Sequence, residues 1–193
     1  MLAYKAFDKD LSCTSGGNRY QYKLGEWNEE QSANCARNGF HCAENPLDCL
    51  TYYPNFEKAR YFVVEAAGDI DEDNTDTKIA CTRMKLIREL TLEDFVLEAL
   101  KYIVAHPGRE VSGIYKNSLI SKEERRNHFA IVRGKNPEFK GTIGTVIGLI
   151  QEGKKGTIVA AGMTRVRTSK MVYQIVDGKI KECEEDGKEK IGA

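Results

Sequence analysis

Alternating apolar and polar residues predict several short strands in the first half of the chain. Residues 4–7 (YKAF) and 19–24 (RYQYKL) have the pattern of strands, and Gly25 closes the second. The run YFVVEAA at 61–67 is the most strand-like, and residues 78–90 resume the pattern after an acidic loop. This half should therefore contain a mostly antiparallel sheet.

Two segments have the spacing of helices. The first should run over about 46–59 from Pro46, whose missing N–H costs nothing in a first helical turn. Its buried face is indicated by apolar residues at spacings of three, namely Leu47, Leu50 and Tyr53. The second should run over about 92–106, with Thr91 as its N-cap and two acidic residues in its first turn. A Pro-Gly pair then ends it.

The second half of the chain changes character. Short apolar pieces are cut by polar turns, and eight glycines fall between residues 134 and 178. The pair Asp177-Gly178 is a good two-residue hairpin turn between two apolar runs. This pattern predicts short strands without a long helix.

The predicted fold class is therefore α+β. An α+β domain over 1–107 would carry a mostly antiparallel sheet with two helices, and an all-β module of short Gly-rich strands would follow over 112–183. Residues 184–193 are charged and should form a flexible tail. Exposed strand edges favour pairing between chains, so we expect a homo-oligomer, most simply a dimer.

Charge and hydropathy argue against nucleic acid and membrane partners. The chain has 29 Lys plus Arg and 29 Asp plus Glu, so its net charge gives no general attraction to polyanions. The basic stretches at 122–126 and 165–170 are interpreted as solvated faces. No apolar run approaches the ~18 residues of a membrane helix, and the N-terminus lacks the apolar region of a secretory signal. We therefore expect a cytoplasmic protein, placed in a host cytosol by the resemblance described below.

The six cysteines would then be reduced and buried. A zinc site from Cys13, Cys35, His41 and Cys42 is the alternative. However, the chain has no C-x-x-C pair, and neighbours such as His41 and Cys42 on a strand point to opposite faces. The acidic loop at 68–76 lacks the glycine and the final glutamate of a calcium loop. We predict neither a metal nor a cofactor.

The segment NGFHCAENPLDCLTYY at 38–53 carries the richest candidate chemistry. It gathers polar groups where a strand meets the helix from Pro46, whose first N–H groups would face residues 42–45. Nearby strands would add positive charge and a stacking face from Tyr20 or Tyr22, which suits an anionic, ring-bearing ligand such as a nucleotide. The alternative is that Asn45 caps the helix and the aromatic side chains fill the core. The predicted ligand-binding residues are Lys5, Arg19, Tyr22, His41, Glu44 and Asn45.

The chain resembles an uncharacterised domain family, a domain of unknown function found in tailed phages, prophages and bacteria. The resemblance covers residues 3 to about 105. Its motifs are YKAFDKDLSC, YQYKLGEW, CARNGFHCAENPLDCLTYY, RYFVVEAAGDI and KIACTRMKL. The family implies a Gly- and Ala-rich β continuation ending in a DGK motif, which YQIVDGKIKE matches here with few repeats before it.

The order of elements is more distantly similar to ADP-ribosyltransferases, which bind NAD in a cleft and use a late glutamate. Lys5 stands where those enzymes have Arg or His, and the corner has no Ser-Thr-Ser run. Glu89 and Glu93 are the candidates for the late glutamate, but a capped helix explains them equally well. This similarity is an analogy of fold alone.

Three classes of function follow from these observations. The first is a phage or prophage accessory binding protein, and an anti-defence candidate, that engages a host protein or a nucleotide-like small molecule. The second is an NAD-using enzyme with an ADP-ribosyltransferase-like site, and the third is a structural or assembly protein of the virion. The absence of a convincing catalytic set favours the first class over an enzyme.

Overall fold

The computed structural model describes residues 1–15, 17–35, 37–72, 76–121 and 128–184. The chain divides into two compact units, 1–91 and 92–193. The basic stretch at 122–126, Asp73 in the acidic loop and all but the first residue of the predicted tail lie outside the described residues. No helix in the described ranges combines the length and the apolar composition needed to cross a lipid bilayer.

The described residues of unit 1 form seven strands. They are β1 (Leu2–Asp8), β2 (Ser12–Ser15), β3 (Asn18–Gln21), β4 (Trp27–Glu29), β5 (Phe40–Ala43), β6 (Ala59–Glu72) and β7 (Lys78–Glu89). Strand β7 pairs with β6 along one edge and with β5 and β4 along the other, and β1 joins β6 to β5. The path β7-β5-β1-β6 returns to β7, so the sheet closes like a barrel. Strands β2 and β3 form a separate hairpin.

The closed sheet surrounds an aromatic core. Phe7 lies edge-on to Tyr22 and Phe62, with ring centroids 4.8 and 5.6 Å apart. Phe40 and Met84 are also buried in this cluster. Strands β1, β5 and β6 all contribute to this cluster, which holds β1 and β5 in place. Both of these strands line the cleft described below.

The predicted helix over 46–59 is wrong. The segment forms a six-residue 3-10 helix, Pro46–Thr51, before the chain turns towards β6. Asn45 and Pro46 start it as the sequence indicates, since the Asn45 side chain accepts a hydrogen bond from the Leu47 N–H at 3.2 Å. Pro54 explains the early end: it restricts the preceding residue to extended conformations and cannot donate a helical hydrogen bond.

Unit 2 combines one α-helix with a six-stranded sheet. Its elements are α1 (Leu92–Ala105), β8 (Tyr115–Ile120), β9 (Phe129–Lys140), β10 (Val146–Glu152), β11 (Ile158–Arg165), β12 (Val172–Val176) and β13 (Lys179–Cys183). The sheet order is β11-β10-β9-β12-β13, and β8 pairs with β9. Strand β9 is parallel to β8 and β10, while the other pairs are antiparallel. Helix α1 packs on β9, β10 and β11.

The predicted α+β fold class is also wrong, because the protein is mainly β. The described residues contain one α-helix, and it lies in unit 2 rather than in an α+β domain with a second helix. The change in the sequence pattern predicted a domain boundary at 107–112, whereas the two compact units of the structure divide between residues 91 and 92. The reason is tertiary: the apolar face of α1 is covered by strands that come later in the chain.

Candidate functional site

A cleft of about 860 Å³ opens in unit 1. Its walls come from β1, the β2–β3 hairpin, β5 with the preceding loop, and the 3-10 helix at Pro46–Thr51. Four of the six predicted ligand-binding residues line it: Lys5, Arg19, Tyr22 and His41. The lining also includes Arg37 and Lys78, which sequence reasoning did not select although both lie in the quoted motifs, because only the fold brings them to the cleft.

Lys5 is the most unusual group in the cleft, because it is charged and only 8% exposed. Its Nζ donates a hydrogen bond to the backbone oxygen of His41 at 2.7 Å. The same nitrogen lies 5.3 Å from the centroid of the Phe7 ring and 5.4 Å from that of Tyr22. Among the described residues, no carboxylate forms an ion pair with it. Buried ammonium groups are almost always paired, so the unpaired Lys5 makes the cleft a candidate site.

Two opposing effects act on the pKa of Lys5. Burial alone lowers the pKa of Lys5, but the phenol of Tyr22 and the thiols of Cys13, Cys42 and Cys49 raise that pKa above its ordinary value. The pKa values of Tyr22, Cys42 and Cys49 are themselves raised, so these three groups carry a negative charge only at high pH. At neutral pH the ammonium is therefore a buried cation with neutral neighbours.

His41 lies beside Lys5 as a neutral group. Burial, followed by the charges of Lys5 and Lys78, lowers the pKa of His41 below its ordinary value. Backbone groups of Asn34 and Cys35 hydrogen-bond the imidazole and partly oppose this shift. At neutral pH the ring therefore adds polarity to the cleft without adding charge.

The β2–β3 hairpin gives one wall a cation and an aromatic surface. Arg19 is exposed, forms an ion pair with Asp10 and donates to the Ser12 hydroxyl at 3.1 Å. Tyr20 is half-buried, with its ring centroid 4.8 Å from that of Tyr22 and 4.9 Å from that of Phe40. A ring-bearing ligand can therefore meet both a cation and an aromatic side chain on this wall.

The 3-10 helix and β7 supply the facing groups. The Lys78 ammonium donates to the Tyr52 hydroxyl at 3.0 Å and lies 5.5 Å from the centroid of that ring. Tyr52 is 58% exposed, so its ring is available to a ligand. The Tyr53 hydroxyl donates to the Cys13 Sγ at 3.2 Å. Antiparallel pairing of β5 with β7 sets Lys78 opposite Ala43 and so places it at the cleft.

Glu44 and Asn45 lie beside the cleft but do not line it. Asn45 is 2% exposed and caps the 3-10 helix, while its own N–H donates to the Thr77 hydroxyl at 2.9 Å. The Glu44 N–H donates to the Thr77 oxygen at 3.1 Å. A six-residue 3-10 helix whose first free N–H is capped by its own Asn does not offer the anion site that the sequence suggested.

Within the described residues, neither candidate late glutamate lines the cleft. Within the part of the chain that the structure describes, no group of three His, Cys, Asp or Glu side chains could hold a metal ion. Of the two candidate late glutamates, Glu89 pairs with Arg60, and Glu93 belongs to unit 2. The described carboxylates that line the cleft are Glu30 and Asp48, and Asp48 accepts hydrogen bonds from Thr77.

Fold and site together define a mainly β protein whose first unit carries a ligand-sized cleft rich in cations and aromatic rings. Residues 1–98, more than half of the chain, match the model of a family described as a domain of unknown function, DUF7666. The chain belongs to this family, which confirms the resemblance to an uncharacterised domain family. No curated protein and no solved structure matches the chain.

Proposed function

We propose that unit 1 binds an anionic, ring-bearing small molecule of the nucleotide class in the cleft above Lys5. The protein would serve as an accessory binding protein of a phage or prophage that engages a nucleotide-type signal or a host protein. The phage affiliation rests on the resemblance carried by the sequence motifs.

The buried ammonium of Lys5 is the observation that carries the binding proposal. Burying an unpaired charge costs several kcal/mol, so a fold does not retain one without a reason. A methionine would fill the same space without this cost. An anionic ligand would supply the missing counter-charge, in a setting where low dielectric strengthens the ion pair.

The aromatic lining supports a ring on the same ligand. Tyr20 is half-buried against Tyr22 and Phe40, and Tyr52 presents an exposed ring on the facing wall. Stacking of a base on such side chains contributes about 1–3 kcal/mol and tolerates different bases. The cations Arg19 and Lys78 would attract further negative charge on the ligand from either side of the cleft.

The test is a comparison of Lys5→Met with Lys9→Met. Lys9 is a matched control, because its Nζ also donates to a backbone oxygen, that of Ala59 at 3.2 Å, but it does not line the cleft. Calorimetry and thermal shift over a nucleotide panel should find a ligand for the wild type, and ligand at 100 times Kd should stabilise unit 1 by about 2.7 kcal/mol. Lys5→Met should weaken binding at least about tenfold, which is ~1.4 kcal/mol, and Lys9→Met should not.

Stability without ligand separates a binding role from a structural one. If Lys5 serves a ligand, the free energy of unfolding of Lys5→Met should equal or exceed that of the wild type, by up to about 2 kcal/mol. A loss of more than about 2 kcal/mol with no nucleotide bound by either protein would show that Lys5 is structural. Unchanged nucleotide binding in Lys5→Met would place the ligand elsewhere.

The other two classes of function gain no support from the cleft. The late glutamate of an NAD-using enzyme would have to be Glu89 or Glu93, and neither is among the described residues that line the cleft. A virion structural role needs no ligand cleft at all. The homo-oligomer stays a prediction that sedimentation can check.

A further inference from the structure

We infer that the group which the cleft buries against Lys5 is a singly charged oxyanion, a phosphodiester or a carboxylate, rather than the doubly charged terminal phosphate of a mononucleotide. This inference rests on the proposed function and narrows the class of its ligand.

The first argument is the number of hydrogen-bond donors. A lysine ammonium has three N–H donors, and the His41 backbone oxygen already accepts one of them. Two donors remain for a ligand. A phosphodiester has two non-bridging oxygens and a carboxylate has two oxygens, whereas a terminal phosphate has three. The two remaining N–H donors of Lys5 therefore match the two oxygens of a phosphodiester or a carboxylate.

The second argument is charge balance. Burial raises the pKa of Tyr22 and of Cys49, and a hydrogen bond to Cys81 followed by burial raises that of Cys42, so these neighbours of the ammonium are neutral at neutral pH. His41 is neutral as well, and the other cations of the lining, Arg19, Arg37 and Lys78, are exposed or half-buried. Lys5 is therefore the buried cation of the described lining, and one buried cation can balance one buried negative charge. A second charge on the same buried group would stay uncompensated in a low dielectric, which is costly.

The third argument is the chemistry of the walls. Alanines from β1 and β5 and the three thiols border the cleft near the ammonium, and they offer weak or no hydrogen-bond donors. Apart from the Tyr22 hydroxyl, the third oxygen of a terminal phosphate would find no strong donor among these groups. The sugar and base would extend towards Tyr20 and Tyr52, where the cleft is more exposed.

The experiment compares ligands that share one ring system and differ in the charge and connectivity of the attached group. Calorimetric titrations at pH 7.5 use adenosine, 5′-AMP and 3′,5′-cyclic AMP, with the guanosine and cytidine sets beside them. Indole-3-acetate and indole-3-acetamide form the carboxylate arm. The expected result is that the cyclic nucleotide or the acetate binds at least about tenfold tighter than its dianionic or neutral counterpart, and that Lys5→Met removes this preference while Lys9→Met retains it.

A second pH isolates the charge of the phosphate. The second pKa of a phosphomonoester is about 6, so 5′-AMP becomes a monoanion at pH 5.0 while cyclic AMP keeps its single charge. The affinity of 5′-AMP relative to cyclic AMP should rise at least about threefold from pH 7.5 to 5.0. Protonation of the protein affects the binding of both nucleotides and therefore largely cancels in the ratio of their affinities. The titratable groups that line the cleft are His41, Glu30, Asp48, Lys78, the tyrosines and the thiols.

Each outcome decides one of the two proposals. Binding of 5′-AMP as tight as that of cyclic AMP at pH 7.5, or equal binding of adenosine, overturns the inference and leaves the binding function standing. Binding of the acetate with no nucleotide bound supports a singly charged carboxylate as the buried group and overturns the nucleotide class of the proposed function. Absence of binding by every nucleotide and by both indoles overturns the inference and the proposed function together.

Discussion

At the scale of single residues, the cleft is governed by what burial does to ionisable groups. Lys5 remains charged although it is 8% exposed, and His41 is held neutral. The sequence places both residues on short strands. The sequence does not reveal that the Lys5 side chain donates a hydrogen bond to the backbone oxygen of His41, which is 36 positions further along the chain. The two residues become one site only when β1 pairs with β5.

His41 should make the stability of unit 1 depend on pH. Its pKa in the folded protein lies below its ordinary value of 6.5, so below pH 6.5 the unfolded chain binds a proton that the folded protein does not. The free energy of unfolding should therefore fall as the pH drops below 6.5, by at most about 1.4 kcal/mol per pH unit. In His41→Gln this part of the decline should be absent.

Urea unfolding at pH 7.5 and 5.5 measures the effect of His41. Trp27 is the single tryptophan of the chain and lies on β4, so its fluorescence reports unit 1 selectively. The value at pH 7.5, where His41 is neutral in both states, gives the packing cost of the substitution. An identical pH dependence in the wild type and in His41→Gln would contradict the lowered pKa.

At the scale of elements, backbone geometry decides where strands bend. Strand β6 has an irregularity between Ala67 and Ile70, where Gly68 adopts a φ of 77°. A Cβ at Gly68 would lie 2.1 Å from the Thr82 Oγ1, which accepts a hydrogen bond from the Asp69 N–H at 2.9 Å. Glycine thus lets β6 bend while it stays paired with β7.

Gly68→Ala should therefore destabilise unit 1 more than Gly25→Ala. Gly25 has nearly the same φ, 76°, but a Cβ there would have no atom within 4 Å. The control substitution Gly25→Ala should lower the free energy of unfolding by about 1 kcal/mol, because alanine is disfavoured at this positive φ. Gly68→Ala should cost at least about 1 kcal/mol more, because the added methyl displaces Thr82. Urea unfolding followed by Trp27 fluorescence gives the free energy of unfolding of both variants. Equal destabilisation by the two substitutions would refute the close approach of Gly68 to Thr82.

Elements defined by local interactions are the ones that the sequence predicts well. The hairpin at Asp177-Gly178 is confirmed, since Val176 pairs with Lys179 and both turn residues have positive φ. Helix α1 begins and ends within one residue of the range indicated by its capping and by the Pro-Gly pair. The segment after Pro46 shows the limit: apolar spacing suggested a helix to residue 59, and Pro54 prevented it.

At the scale of the whole molecule, the division into two units follows from which strands cover α1. The buried face of the helix includes Phe95, Val96, Ala99, Leu100 and Ile103. Leu100 lies close to Gly148 on β10, where a Cβ would meet its side chain at 3.0 Å. The helix therefore belongs to the core of unit 2, although its sequence adjoins the last strand of unit 1.

Two fragments test this division. Residues 92–193 should fold cooperatively, whereas residues 107–193 should not. Loss of α1 removes burial worth roughly 1.5–3 kcal/mol for each large apolar side chain, against a total stability of about 5–15 kcal/mol for a domain. Circular dichroism with thermal unfolding distinguishes the two. A cooperative transition in residues 107–193 would favour the boundary that the change of pattern indicated.

The sequence by itself determined the local elements and most of the candidate site of this protein. Alternation located strands, capping located α1, and four of the six predicted ligand-binding residues line the cleft. These features depend on interactions between residues that are close in the chain. The tertiary structure alone decided the closure of the sheet, the burial of Lys5 and the arrival of Arg37 and Lys78 at the cleft. Strand register joins residues dozens of positions apart, and no local pattern of side chains encodes which strands will pair.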